Sequence, residues 1–262
     1  MNFFSEYIKY LFNAQGRHGI HSPFVYDFVD NCLKIKREEV FSKKHLSLVK
    51  SLKNNTSAIH VVDAGAGSRK MNAERRINAI LKNASSKGVY ADLLYQLAVH
   101  YQPLRTLELG TSLGMGTSLL ASGNPNGKVT SVDACGNTLE CAKTNFFKLG
   151  IENVEIVNDT FLAYLSYADK QSFDLVYVDG HHQGEALKNY MHLLEDWTHA
   201  NTIFILDDIR WSKDMFAAWN ELKASNKYNL SLDLFRMGIL IPRPQQEKQH
   251  FTIKLKNVLS GF

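Results

Sequence analysis

The sequence predicts an α/β protein: a doubly wound, mostly parallel sheet with helices on both faces, preceded by a helical N-terminal cap. Short apolar runs near 104–109, 128–133, 153–157, 173–179 and 202–207 alternate with segments of helical spacing, the pattern of a parallel sheet whose crossovers are helices. The first run leads into a glycine-rich turn, Leu109-Gly-Thr-Ser-Leu-Gly-Met-Gly116, where the backbone can turn sharply and approach a ligand with no Cβ in the way. The second run ends in Asp133, and an acid beside such a turn accepts hydrogen bonds from both hydroxyls of a ribose. The chain is therefore read as a nucleoside binder.

The elements follow in order. Phe3, Phe4, Tyr7, Ile8, Leu11 and Phe12 recur at helical spacing, as do Phe24, Val25, Phe28, Val29 and Leu33, so residues 1–57 read as helices. A turn-rich loop, 16–23, separates these two runs, and Ser22-Pro23 is a helix start. The charged run from Lys34 to Lys44 reads as a solvated helical face. Residues 58–68 pass from an apolar stretch through Asp63 into glycines and compete for the role of cofactor loop. The basic stretch 69–76 follows, with no second acid-ended strand at the usual distance, so 58–90 is assigned to a cap near the site. Its glycines are a candidate loop over the substrate. Lys87 to Tyr101 reads as a helix leading into the core, which divides the chain into a cap at 1–87 and a core domain at 88–262. Thr138–Leu149, Gly184–Glu195 and Asp214–Ser225 are further helices, and 230–235, 238–241 and 250–255 are three more strand-like runs.

With 262 residues, 45% of them hydrophobic, the chain holds one large domain or a domain with a small appendage. A net charge of +4 and a pI near 8.8 give no argument for nucleic acid. Cys32, Cys135 and Cys141 lack metal-ligand spacing and read as reduced thiols of a cytoplasmic protein. Glu6 and Lys9 interrupt the first apolar run, which excludes a signal peptide there, and no run is long enough to span a membrane.

The spacing from Glu108 to Gly116 is Glu-x-Gly-x-x-x-Gly-x-Gly rather than the tighter dinucleotide pattern. An acid there would repel a pyrophosphate and suits a nucleoside with a cationic end, such as S-adenosylmethionine. On these residues the segment from Leu107 to Asp208 resembles class I S-adenosylmethionine-dependent methyltransferases, and among them the O-methyltransferases related to catechol and caffeoyl-CoA O-methyltransferases. The resemblance implies a Rossmann-like sheet of seven strands with an antiparallel C-terminal strand. It places Glu108 at the methionine end of the cofactor with Gly110, Thr111 and Ser112, in a turn completed by Gly114 and Gly116. It gives Asp133 the ribose and Asp159 the adenine, with Phe161 as a ring contact. Asp159 also reads as a helix N-cap.

The fourth and fifth strands end in Asp179 and in Asp207-Asp208, which should converge at the carboxyl edge of the sheet. Like charges there are unfavourable unless a cation joins them or one is protonated. Hard oxygen ligands suit Mg²⁺, Mn²⁺ or Ca²⁺. The resemblance implies the same divalent site, although its usual Asp-Asn pair is Asp-Asp here. Without a metal, Asp179 faces the cofactor, and Asp207 or Asp208 binds substrate or caps the next loop. His182 stands where related enzymes place a lysine base, with His181 beside it; Arg17, His18 and His21 are outlying candidates. The expected activity is methyl transfer to a hydroxyl oxygen of a small molecule, with a homodimer left open. The rival readings are methylation of nucleic acid or protein, a non-catalytic nucleoside binder, and a nicotinamide-dependent dehydrogenase. The run Val178-Asp-Gly-His-His182 lacks the prolines typical of enzymes that methylate base amino groups.

Overall fold

Eight strands lie side by side in the computed structural model, which describes residues 3–34, 37–62, 72–83 and 87–255. The N-terminal part runs α1 (Phe3–Asn13), α2 (Pro23–Cys32), α3 (Glu39–Asn54), β1 (Ala58–Val62), β2 (Asn72–Arg76), α4 (Ile77–Asn83) and α5 (Gly88–Tyr101). The core follows as β3 (Arg105–Leu109), α6 (Met115–Gly123), β4 (Lys128–Asp133), α7 (Gly136–Leu149), β5 (Val154–Asn158) and α8 (Phe161–Tyr167). It continues through β6 (Phe173–Val178), α9 (Gly184–Leu193), β7 (Thr198–Leu206), α10 (Lys213–Ala224), β8 (Leu230–Leu234), β9 (Met237–Ile241) and β10 (Gln249–Thr252).

The strand order is β10-β8-β9-β7-β6-β3-β4-β5. From β5 to β7 every pairing is parallel, and β9 runs antiparallel to both β7 and β8. The hairpin expected from the last three apolar runs is thus β8–β9. The third run becomes an additional edge strand, β10, parallel to β8, so the sheet has eight strands rather than seven. Alternation along each strand builds the two faces. Val176, Val178, Phe204 and Leu206 pack with Trp197 and Trp219 under α8, α9 and α10. Leu175, Tyr177, Ile203 and Ile205 pack on the other face with Leu93, Leu97 and Leu119. Val25 and Phe28 of α2 belong to this second core, so the N-terminal helices cover the sheet itself.

The N-terminal part is not wholly helical. β1 and β2 pair antiparallel as a separate hairpin, docked on α7 by Asn137 Nδ2 donating to His60 O at 2.7 Å. The glycine-rich run Asp63–Ser68 lies outside the described residues. Among the described residues, no helix is long and apolar enough to cross a membrane.

Candidate active site

The β3–α6 turn forms the floor of a cleft at the carboxyl edge. Gly110 has φ +121°, and a Cβ there would sit 2.0 Å from Asp179 O, so only glycine lets the ends of β3 and β6 meet. Ser112 N donates to Asp133 Oδ2 and Cys135 N to Asp133 Oδ1, both at 2.9 Å. Two backbone amides therefore fix the Asp133 carboxylate on the rim. Thr111 is buried, its hydroxyl 2.6 Å from Ser131 Oγ. A cavity of about 160 Å³ lies against Gly110, Ser112, Asp133, Phe161, Asp179 and His181. A second, of about 280 Å³, continues from Ser112 and Asp133 towards β1 and α4.

Asp159 and Glu108 are placed differently from one another. Asp159 is exposed and is not the N-cap of α8; Thr160 is, its Oγ1 accepting from Ala163 N at 3.2 Å, and Thr160 lines the cleft. Glu108 is 1% exposed and lies on the face opposite Leu107 and Leu109, beneath α6. Its Oε2 accepts from Ser131 Oγ at 2.5 Å and from Thr117 Oγ1, while Oε1 has no partner. A Cβ on Gly116 would stand 2.7 Å from Oε1, so that glycine makes room for the acid. Burial pushes the Glu108 carboxyl up to about 7, against the two hydroxyl donors. Gly114 caps α6 at φ +75°, its Cα turned against Phe146.

Asp179, Asp207 and Asp208 do converge, and the cation among them is Arg236, from the β8–β9 turn. Arg236 Nε and Nη2 donate to the two oxygens of Asp207 at 3.1 and 3.0 Å, and Nε lies 2.8 Å from Asp208 Oδ1. Tyr177 Oη lies 2.9 Å from Asp179 Oδ2 and 3.2 Å from Asp207 Oδ2, and its single proton serves one at a time. Burial first, then the charges of Asp207 and Asp208, raise Asp179 well above the usual carboxylate range. Burial and Asp207 push Asp208 up to about 6, against the pull of Arg236 and His182. Among the described residues no group of three or more His, Cys, Asp or Glu side chains is arranged to hold a metal ion. A divalent cation bound to this triad would have to displace the guanidinium from both acids, so the residues present do not fit the expected Mg²⁺.

Arg236 is itself held. Arg210 forms a two-pronged pair with Asp233, both contacts 2.8 Å, and donates to Phe235 O at 2.7 Å, which fixes the turn. Phe235, at φ 72°, packs against Phe3, Tyr7 and Tyr10 of α1 with ring centres 5.1–5.3 Å apart. Sequence reasoning missed Arg236; the available signal was a basic residue between two strand runs that must fold back beside Asp207.

His182 sits beside this cluster, its Nε2 3.8 Å from Asp208 Oδ2 and its ring 5.3 Å from that of Trp211. His181 has φ 49° and shares a hydrogen bond with the Tyr190 hydroxyl, its ring 4.9 Å from Phe161 in the cleft wall. Arg17 is engaged elsewhere, paired with Asp30 at 2.7 Å and lying over Tyr26. His21 is exposed.

This arrangement, a parallel sheet closed by an antiparallel hairpin with a glycine turn and strand-end acids at its carboxyl edge, is the class I S-adenosylmethionine-dependent methyltransferase fold. Residues 107–209 match the family model described as a methyltransferase domain. An O-methyltransferase from Bacillus cereus solved with S-adenosylhomocysteine is 15% identical, covering 83% of this chain and 96% of its own, with a TM-score of 0.55. TomG from Streptomyces achromogenes, an O-methyltransferase of tomaymycin synthesis solved with S-adenosylmethionine, is 16% identical, with 83% and 96% covered and a TM-score of 0.55. A methyltransferase from Podospora anserina solved with S-adenosylhomocysteine is 14% identical, with 85% and 96% covered and a TM-score of 0.56. No curated protein matches the sequence.

Proposed function

We propose that the protein transfers a methyl group from S-adenosylmethionine to a hydroxyl oxygen of a small molecule. The observation that carries this reading is Asp133, clamped by the amides of Ser112 and Cys135 on the rim of the cleft between β3, β4 and β6. A carboxylate oriented at the end of the second core strand is placed to accept from the two ribose hydroxyls. Gly110 and Ser112 face the methionine end, and Phe161 with Thr160 or Asp159 faces the adenine. Glu108 supports the turn from below, through α6. The resemblance to O-methyltransferases supports oxygen as the acceptor.

S-adenosylmethionine supplies an activated methyl on a sulfonium. The acceptor oxygen attacks that carbon in line, the carbon–sulfur bond breaks, and its electron pair returns to sulfur, leaving S-adenosylhomocysteine. His182 Nε2 takes the hydroxyl proton, and the imidazolium that results is paired by Asp208. Holding the partners in line and excluding water is the remaining contribution of the protein. No step passes through a metal. Residues 1–87 serve as the cap over the catalytic core at 88–262. Calorimetric titration with S-adenosylhomocysteine tests the reading: micromolar binding is expected, and no heat at millimolar ligand overturns it.

A further inference from the structure

A cavity separate from the one that contains Gly110 and Asp179 lies among the N-terminal helices. It occupies about 760 Å³ between α3, α4 and α5. That is ample for a small molecule, for which pockets run roughly 300–1,000 Å³, whereas the space beside Asp208 and Arg236 is about 240 Å³. Leu46, Val49, Leu81 and Met115 give it apolar walls. Met115 opens α6 directly after the glycine turn, and Ala79 lines both this cavity and the one containing Asp133, so the two spaces adjoin.

Its polar lining is one-sided. Lys53, Lys82 and Lys87 face it, and among the described residues no carboxylate does. Arg37 lines it too, with Asp92 2.6 Å behind. Burial, then the charges of Arg236, Lys53 and Lys82, hold the Lys87 ammonium below its ordinary range. These cations therefore repel one another. His45 adds a second, independent sign. It is 5% exposed and lines the cavity, and its Nε2 has no partner. Nδ1 lies 3.3 Å from Arg37 Nη1, so it accepts, which leaves the proton on Nε2. Burial and Arg37 hold this imidazole down at about 4, neutral at physiological pH. An unpaired buried donor is costly, and a ligand oxygen would recover that cost.

We propose that this cavity is the acceptor pocket, and that it takes a hydroxylated small molecule with an apolar body and an oxyanion group, seated against the lysines and the His45 Nε2–H. The proposal rests on the methyltransferase reading and names the substrate class for it.

The test uses two dyes of similar shape, anilinonaphthalene sulfonate and the uncharged phenylnaphthylamine, on the whole protein. The variant Lys53→Gln/Lys82→Gln changes only exposed side chains. It is expected to weaken the sulfonate dye about tenfold and the neutral dye less than about twofold. His45→Phe should weaken the sulfonate without altering the salt dependence. Turnover with S-adenosylmethionine should favour hydroxylated aromatic carboxylates or phosphates over their neutral counterparts, and the sulfonate dye should compete with them. Unchanged sulfonate affinity in the lysine variant, equal loss for both dyes, or preference for neutral acceptors overturns the proposal. If wild-type protein binds S-adenosylhomocysteine yet shows one of these results, only the acceptor pocket falls. If it fails to bind S-adenosylhomocysteine, the methyltransferase reading falls, and the acceptor role with it.

Discussion

Asp133 and Asp207 stand at the carboxyl ends of strands in one sheet, yet they are held in opposite ways. Asp133 is half-buried, and its oxygens meet two neutral amides. Asp207 is 2% exposed, and both of its oxygens meet a guanidinium. Backbone amides orient a carboxylate without themselves cancelling its charge. A guanidinium cancels the charge, so Asp207 is a structural partner of Arg236. Strand-end position alone does not tell the two apart; the groups that orient them do, backbone amides at Asp133 and a guanidinium at Asp207.

The largest expected effect attacks the neutralised side. Arg236→Met strips the counter-charge from Asp207 and Asp208 and should lower stability by about 3–5 kcal/mol in urea denaturation. A loss under about 1 kcal/mol would mean that protonation of the acids, rather than the guanidinium, balances the cluster. Glu108 offers the next test, as a buried acid that accepts from the hydroxyls of Thr117 and Ser131. Its carboxyl sits at about 7 against an ordinary 4.5, so the native state binds the proton more tightly than the unfolded chain. The resulting penalty on folding is absent below 4.5, grows between 4.5 and 7, and is complete above 7. Glu108→Gln should therefore stabilise the cofactor-free protein by about 2–3 kcal/mol near pH 8 and by almost nothing at about pH 4. A gain independent of pH would refute ionisation as its source.

On the amide-held side, Asp133→Ala should weaken S-adenosylhomocysteine by about tenfold or more in calorimetry, because hydrogen bonds to a charged group are worth about 1.5–3 kcal/mol. Affinity within about twofold of wild type would remove Asp133 from the ribose. The smallest expected effect is none: excess Mg²⁺ should leave that affinity unchanged within about twofold, since Arg236 already fills the acid cluster. A tenfold shift would show that the guanidinium yields to a metal.

The legible parts were those whose determinants are neighbours in sequence. The run 128–133 is β4 itself, and 173–179 differs from Phe173–Val178 by one residue, because apolar runs bounded by turns fix a buried strand locally. Asp133 was legible for the same reason. The side of the sheet that Glu108 takes follows from alternation, since the apolar Leu107 and Leu109 on either side place it on the other face, under α6. β2, with the sequence Asn-Ala-Glu-Arg-Arg, carries no strand signal and forms by pairing with β1. Arg236 was illegible because its partners lie on β7 and its position depends on which late runs form the hairpin.

The clamp on the β8–β9 turn also orders events during synthesis. Tyr10 donates its hydroxyl to Ile253 O, and Gln15 bridges to the same residue, so α1 finds its seat only after the last described strand exists. Contacts of such sequence separation close late and slowly. During synthesis α1, with its exposed Phe4 and Phe12, would thus wait until the segment around Ile253 has emerged. The seat of the β8–β9 turn is thus completed by α1 together with the segment around Ile253.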